Sequence, residues 1–128
     1  PLHGFEFDAT NCPDLFPALA ALAAAADGVS TIRGTSRLLH KESNRAEAIR
    51  EEYAKTGIEV DISEEDVMRI RGGAIRPARV FSHGDHRIAM SMAVSALRSS
   101  GAITIEGAEA VAKSYPRFFE DLESLRVN

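Results

Sequence analysis

At 128 residues the chain is the length of one domain, and its 45% apolar content suits a soluble protein that buries a core rather than a disordered segment. A formal charge of −4, with Lys and Arg dispersed along the chain, leaves no basic footprint for nucleic acid. The apolar run Leu15 to Ala26 is too short to span a bilayer and contains Pro17, so a buried helix is the reading and a membrane is not a partner. No signal peptide is expected before this run, and the single Cys12 cannot build an internal disulfide framework, which fits a reducing cytoplasm. Cys12 reads as a small residue packed near a helix start.

In chain order, Leu2 to Asp8 alternates loosely around Phe5 and Phe7 and reads as a strand, punctuated by Thr10 to Pro13. A helix is expected from Asp14 to Asp27-Gly28, because Pro17 is tolerated only in a first turn, where its missing N–H had no partner. Val29 to Arg33 is a short β-branched strand. A second helix runs from about Glu42 to Thr56, with Ala46, Ile49 and Tyr53 on one face and Gly57 as its stop. Ile58 to Ile62 and Val67 to Ile70 form a hairpin around Ser63-Glu64-Glu65-Asp66, an acidic cluster that reads as a solvated turn. Val80-Phe81 then predicts a strand, Asp85 to Ser99 a helix, Ala102 to Glu106 a strand and Tyr115 to Leu125 a helix. The fold class is therefore α/β, of the α+β kind.

The second series repeats the order of the first. Gly28 matches Gly101, Gly34 matches Gly107 and Glu47 matches Glu120, each at an offset of 73 residues, and the expected elements follow the same offset. The first copy reads β-α-β-α-β-β, and the second stops after its last helix. Any α/β protein places helix, Gly and strand in succession, so it is the shared offset that favours a true repeat.

The charged groups collect at the helix starts. Lys41, Glu42 and Arg45 lie within one helical turn, with Lys41 and Arg45 on a common face, an arrangement suited to an anionic substrate that must gain or lose a proton. Gly84-Asp85-His86-Arg87 and Lys113-Ser114-Tyr115-Pro116 open two further helices, where outward N–H groups attract anions. Each residue has a plainer reading. Asp14 reads as a helix-capping acid, Glu42 as a solvated residue or the partner of Arg45, and Arg45, Arg87 and Lys113 as surface cations. His83, Asp85 and His86 invite a metal, but a helix-borne pair lacks the further ligands that zinc needs, so no metal is expected.

Asn11-Cys12-Pro13-Asp14, Lys41-Glu42-Ser43-Asn44-Arg45, Asp85-His86-Arg87-Ile88-Ala89-Met90 and Lys113 together resemble the C-terminal part of the 5-enolpyruvylshikimate-3-phosphate synthase family, the 3-phosphoshikimate 1-carboxyvinyltransferases. The resemblance runs almost end to end and keeps the family's order. It implies an inside-out α/β barrel half of the enolpyruvyl transferase kind, with helices inside and sheets outside. Two of the three units of that half would be present, repeat one at about 1–73 and repeat two at about 74–128, and the third would be missing. With Pro1 first and the family's earlier part absent, the chain is expected to be a single partial domain of a larger two-domain enzyme.

The implied reaction moves the enolpyruvyl group of phosphoenolpyruvate onto the 5-hydroxyl of shikimate 3-phosphate and releases phosphate. In the family's logic Asp14 contacts the 5-hydroxyl and is a candidate to take its proton, while Glu42 protonates the methylene carbon of phosphoenolpyruvate. Asp14, Arg37 and Lys41 fall to shikimate 3-phosphate, with Arg37 where some members have asparagine. Arg45, Arg87 and Lys113 fall to phosphoenolpyruvate, and Lys113 also to proton transfer as phosphate leaves; His86 supports Arg87. A carboxylate and a phosphate are what guanidinium forks and an ammonium bind well. No metal or organic cofactor is implied. Partners are the two substrates, the missing N-terminal part of the enzyme, and a second copy of the chain through apolar surface exposed by truncation. On this reading the isolated chain is inactive. Two alternatives stay open: a non-catalytic anion-binding module, and the related UDP-N-acetylglucosamine enolpyruvyl transferase, which the Lys-Glu-Ser-x-Arg and Asp-His-Arg segments disfavour.

Overall fold

A computed structural model describes residues 2–38, 44–109, 117, 120 and 122. Among the described residues there are six strands and three α-helices: β1 (Glu6–Asp8), α1 (Phe16–Ala25), β2 (Val29–Arg33), α2 (Arg45–Lys55), β3 (Glu59–Asp61), β4 (Val67–Arg71), β5 (Ala78–Phe81), α3 (His86–Ala96) and β6 (Ile103–Glu106). They form a four-stranded sheet in the order β1-β2-β4-β3 and a two-stranded sheet of β5 and β6. The fold is mixed α/β, as expected.

Alternation explains β2. Ser30 and Ile32 point into the core while Val29 and Arg33 face out, the period of two that a half-buried strand requires. β2 pairs antiparallel with β4, and β4 antiparallel with β3, so the expected hairpin forms, with Val60 opposite Ile70. Packed against these strands, α1 and α2 contribute Phe16, Ala20, Ile49 and Tyr53 to a core with Ile32, Leu38, Met68 and Ile70. Each fully buried side chain of the larger kind contributes roughly 1.5–3 kcal/mol.

The expected stop at Gly57 takes a defined form. Gly57 adopts φ +87 and donates to the Ala54 carbonyl at 3.0 Å, while Ile58 N–H donates to Tyr53 at 3.1 Å. These are the two bonds of a Schellman cap, which needs a left-handed residue where glycine sits. At the other end of α2, Asn44 accepts from Glu47 N–H.

Some boundaries shift. The expected helix at Asp14 begins as a 3-10 turn over Pro13–Leu15, and α1 proper starts at Phe16, which puts Pro17 in the first turn. It ends at Ala25 because Ala26 is extended. The first strand shortens to Glu6–Asp8, with His3 bridging Asp27 beyond it. α3 spans His86–Ala96 rather than Asp85 to Ser99. The expected start of α2 at Glu42, and the helix expected over Tyr115 to Leu125 apart from Arg117, Glu120 and Leu122, lie outside the described residues.

Two parallel strand pairs share a register. Phe7 lies opposite Ile32 in the first and Val80 opposite Ile105 in the second, a displacement of 73 residues in both partners. Gly34 and Gly107, at the same offset, both take positive φ. The strand–helix–strand series β1-α1-β2 and β5-α3-β6 are thus built alike.

Candidate functional site

Three helix starts converge. α3 begins after His83 and Gly84, both left-handed at φ +57 and +68, which turn the chain out of β5. Asp85 caps the helix, its carboxylate accepting Arg87 N–H at 3.0 Å. The same carboxylate grips Arg45, the first residue of α2: Nε donates to Oδ2 at 2.7 Å and Nη2 to Oδ1 at 3.3 Å. This is a forked pair, the geometry in which a guanidinium binds best. Arg45 is 1% exposed and Asp85 0%, so two full charges are buried against each other.

Asp14, in the 3-10 turn before α1, completes the row. Its Oδ1 accepts from Arg45 Nη1 at 2.8 Å, and its Oδ2 stands 4.0 Å from Arg87 Nη2. The order Asp85, Arg45, Asp14, Arg87 alternates acid and base and runs from a buried end to a half-exposed one, since Asp14 is 54% and Arg87 43% exposed. The row fixes the Arg45 guanidinium between two carboxylates, and such preorganisation would lower the cost of binding an anion beside it.

Of the residues singled out in the sequence, the structure brings Asp14, Arg45 and Arg87 together. Arg37 lies in the 3-10 segment Thr35–Leu38, where its Nη1 donates to the Thr10 carbonyl at 2.8 Å. His86 is the first residue of α3 and is half-buried. Lys41, Glu42 and Lys113 lie outside the described residues. Beside the row, Asp14 and Arg87 also line a groove of about 530 Å³ between α1 and α3, whose walls include Pro17, Leu22, Met90 and Val94.

Sequence reasoning missed three contacts. Asp85 entered as part of a motif and of a discounted metal cluster, and its grip on Arg45 spans 40 residues. Its place just before an apolar helix was the available signal, since that is where a capping acid sits. Asp66, in the acidic turn of the hairpin, accepts from both Ser36 N–H and Ser36 Oγ at 3.0 and 2.7 Å, tying that turn to the segment that carries Arg37. These bonds hold the Asp66 carboxyl below its ordinary range. The third is His83, whose ring meets Glu52 of α2 rather than His86. Nothing local marks either of the last two pairings.

The family model of EPSP synthase (3-phosphoshikimate 1-carboxyvinyltransferase) matches residues 1–122. The 3-phosphoshikimate 1-carboxyvinyltransferase of Methanocella arvoryzae is 43% identical over 124 residues, 97% of this chain and 29% of its own length. That of Clostridium kluyveri is 46% identical over 123 residues, 95% of this chain and 29% of its own length. Among solved structures, EPSP synthase from Acinetobacter baumannii superposes with a TM-score of 0.78 at 37% identity, covering 87% of this chain and 26% of that one. The enolpyruvyl transferase NikO from Streptomyces tendae gives 0.71 at 25% identity, covering 98% and 28%. The chain spans under a third of the length of these curated relatives. Its sequence over nearly its full extent and its fold together show that the chain belongs to the EPSP synthase family.

Proposed function

We propose that this chain supplies one wall of the cleft of a 3-phosphoshikimate 1-carboxyvinyltransferase, which joins phosphoenolpyruvate to the 5-hydroxyl of shikimate 3-phosphate and releases phosphate. The observation that carries the reading is the convergence of Asp14, Arg45 and Arg87 at three helix starts, in a chain matched by that family over residues 1–122.

The chemistry asks for three proton movements. Protonation of the methylene carbon of phosphoenolpyruvate by Glu42 makes the neighbouring carbon electrophilic. The 5-hydroxyl attacks it and loses its proton to Asp14. Loss of a proton from the new methyl group and departure of phosphate then restore the vinyl group. Arg45, Arg87 and Lys113 hold the carboxylate and phosphate of phosphoenolpyruvate; Lys113 also serves the departing phosphate. Arg37 and Lys41 hold shikimate 3-phosphate, and His86 supports Arg87. Of these, Arg87 has the half-exposed guanidinium that an arriving anion needs, whereas Arg45 is largely committed to Asp85 and serves from behind.

In the same reading the chain is a single partial domain of two repeats, about 1–73 and 74–128, with the register displaced by 73 residues in its support. The third unit and the N-terminal part complete the cleft, so the chain alone does not turn over. Leu22, Val94 and Leu97 remain exposed along the α1/α3 groove, which favours association with further chain or with a second copy.

Glu42→Gln tests the reading. In this chain complemented by the N-terminal part of a family member, turnover is expected to fall by roughly 100-fold or more, the scale of losing a general acid, with phosphoenolpyruvate binding kept. Unchanged turnover would overturn the assignment of Glu42, and a complex that binds anions without any turnover would point to a binding module.

A further inference from the structure

Glu52 has no part in the chemistry above, yet it is 1% exposed in the last turn of α2. Three donors converge on its carboxylate. Oε1 accepts from Phe81 N–H and from Lys55 Nζ, each at 2.7 Å, and Oε2 meets His83 Nε2 at 2.7 Å. Burial by itself would push this carboxyl up, but the bonds from Lys55, Phe81 N–H and His83 outweigh it and hold the carboxyl below its ordinary value. Glu52 is therefore an ionised acceptor, and His83 presents Nε2–H to it.

The position of His83 gives this contact its meaning. At φ +57 it occupies a backbone region that L residues with a Cβ disfavour, and such residues persist only where their surroundings hold them. Two residues later comes Asp85, which caps α3 and grips Arg45; Arg87, beside Asp14, follows by another two. On the strand side, Phe81 N–H is held by the same carboxylate. Glu52 thus spans the turn, fixing its last strand residue and its first left-handed one.

Glu51, Glu52 and His83 also place ligand atoms within 4.8 Å of one another. The Lys55 ammonium already sits on the same carboxylate at 2.7 Å, so the cluster already holds a positive charge. We infer that Glu52 is a positioning residue that, through His83, sets the left-handed turn presenting Asp85 to Arg45 and Arg87 to Asp14. Its consequence for anion binding rests on the function proposed above; its effect on Arg45 does not.

The test is hydrogen exchange at Arg45 Nε–H, measured by NMR on the whole chain, with the amides of β2 and β4 as the control for folding. Glu52→Ala is expected to speed exchange at Arg45 Nε–H roughly tenfold or more, the scale of losing a hydrogen bond to a charged group, with the β2 and β4 amides unchanged. Glu52→Gln keeps an acceptor and should rescue most of the protection. His83→Gly keeps the left-handed turn accessible but removes the ring, and should give an intermediate rate; it decides the matter if Glu52→Ala loosens the sheet as well. Wild-type exchange at Arg45 in a folded Glu52→Ala or His83→Gly chain would overturn the inference. Adding phosphoenolpyruvate to this chain complemented by the N-terminal part of a family member, and following Arg87 Nε, separates the two readings. A wild-type response lost in Glu52→Ala supports both, whereas protection lost at Arg45 without any wild-type response at Arg87 keeps the positioning role and counts against the proposed function.

Discussion

Replacing Asp85 by Asn isolates the charge at the centre of the site. Asparagine caps helices as well as aspartate does, so its amide oxygen keeps the bond to Arg87 N–H and the longer one from Arg45 Nη2, while an NH2 replaces the Oδ2 that accepted from Arg45 Nε. The negative charge opposite a guanidinium that is 1% exposed is removed. Breaking a buried pair from one side costs about 3–5 kcal/mol, because the remaining charge keeps its desolvation penalty without its partner. Asp85→Asn, which keeps only the longer Nη2 bond, should cost about 3 kcal/mol or more, and Arg45→Met, which leaves the Asp85 carboxylate in place, about 4 kcal/mol. The double variant removes both charges and should cost about as much as Arg45→Met alone, a coupling of about 3 kcal/mol. Urea denaturation at pH 7 reads all four chains; with a slope of about 1–3 kcal/mol/M, Asp85→Asn moves the midpoint down by about 1–3 M. Costs that add to within about 0.5 kcal/mol would refute the buried pair as the organising contact.

Three more outcomes follow from the same geometry. Gly57→Ala forces a Cβ onto a residue at φ +87 and should cost about 1–2 kcal/mol, seen as a lower melting temperature, whereas Gly73→Ala, with nothing within 4 Å, should shift it little. Tyr53→Phe deletes a buried hydroxyl bonded to Ser91 and Ser95 at 2.7 Å each, and should cost about 1–3 kcal/mol in urea titrations. Because folding lowers the Glu52 carboxyl from 4.5, its contribution is fully present above that pH and is lost as pH falls through the lowered folded value. Glu52→Gln should therefore flatten the fall in stability between pH 5 and pH 3, as denaturant midpoints measured across that range would reveal.

What the sequence discloses and what it hides divide along a physical line. Local chemistry was legible: Gly57 as a stop, the strand of Val29 to Arg33, the hairpin around Asp66 and the placement of Asp14, Arg45 and Arg87 at helix starts all depend on a few neighbouring residues. The extent of α1 was misjudged because the run of alanines carries no boundary, and only the extended Ala26 ends it. The partners of Arg45 and Glu52 were hidden for a different reason. Asp85 is 40 residues from Arg45 and His83 is 31 from Glu52, so these contacts exist only once α2 and α3 are packed. Arg45 taken by itself consequently read as a surface cation, and the fold instead buries it against Asp85 and Asp14.

Phosphate release from shikimate 3-phosphate plus phosphoenolpyruvate tests the central claim most directly, comparing this chain alone with this chain mixed with the N-terminal part of a family member. Release is expected in the mixture and none from the chain alone. Release by the isolated chain would contradict the claim that the cleft needs both parts, and silence in a mixture of folded, associated parts would contradict the transferase assignment itself.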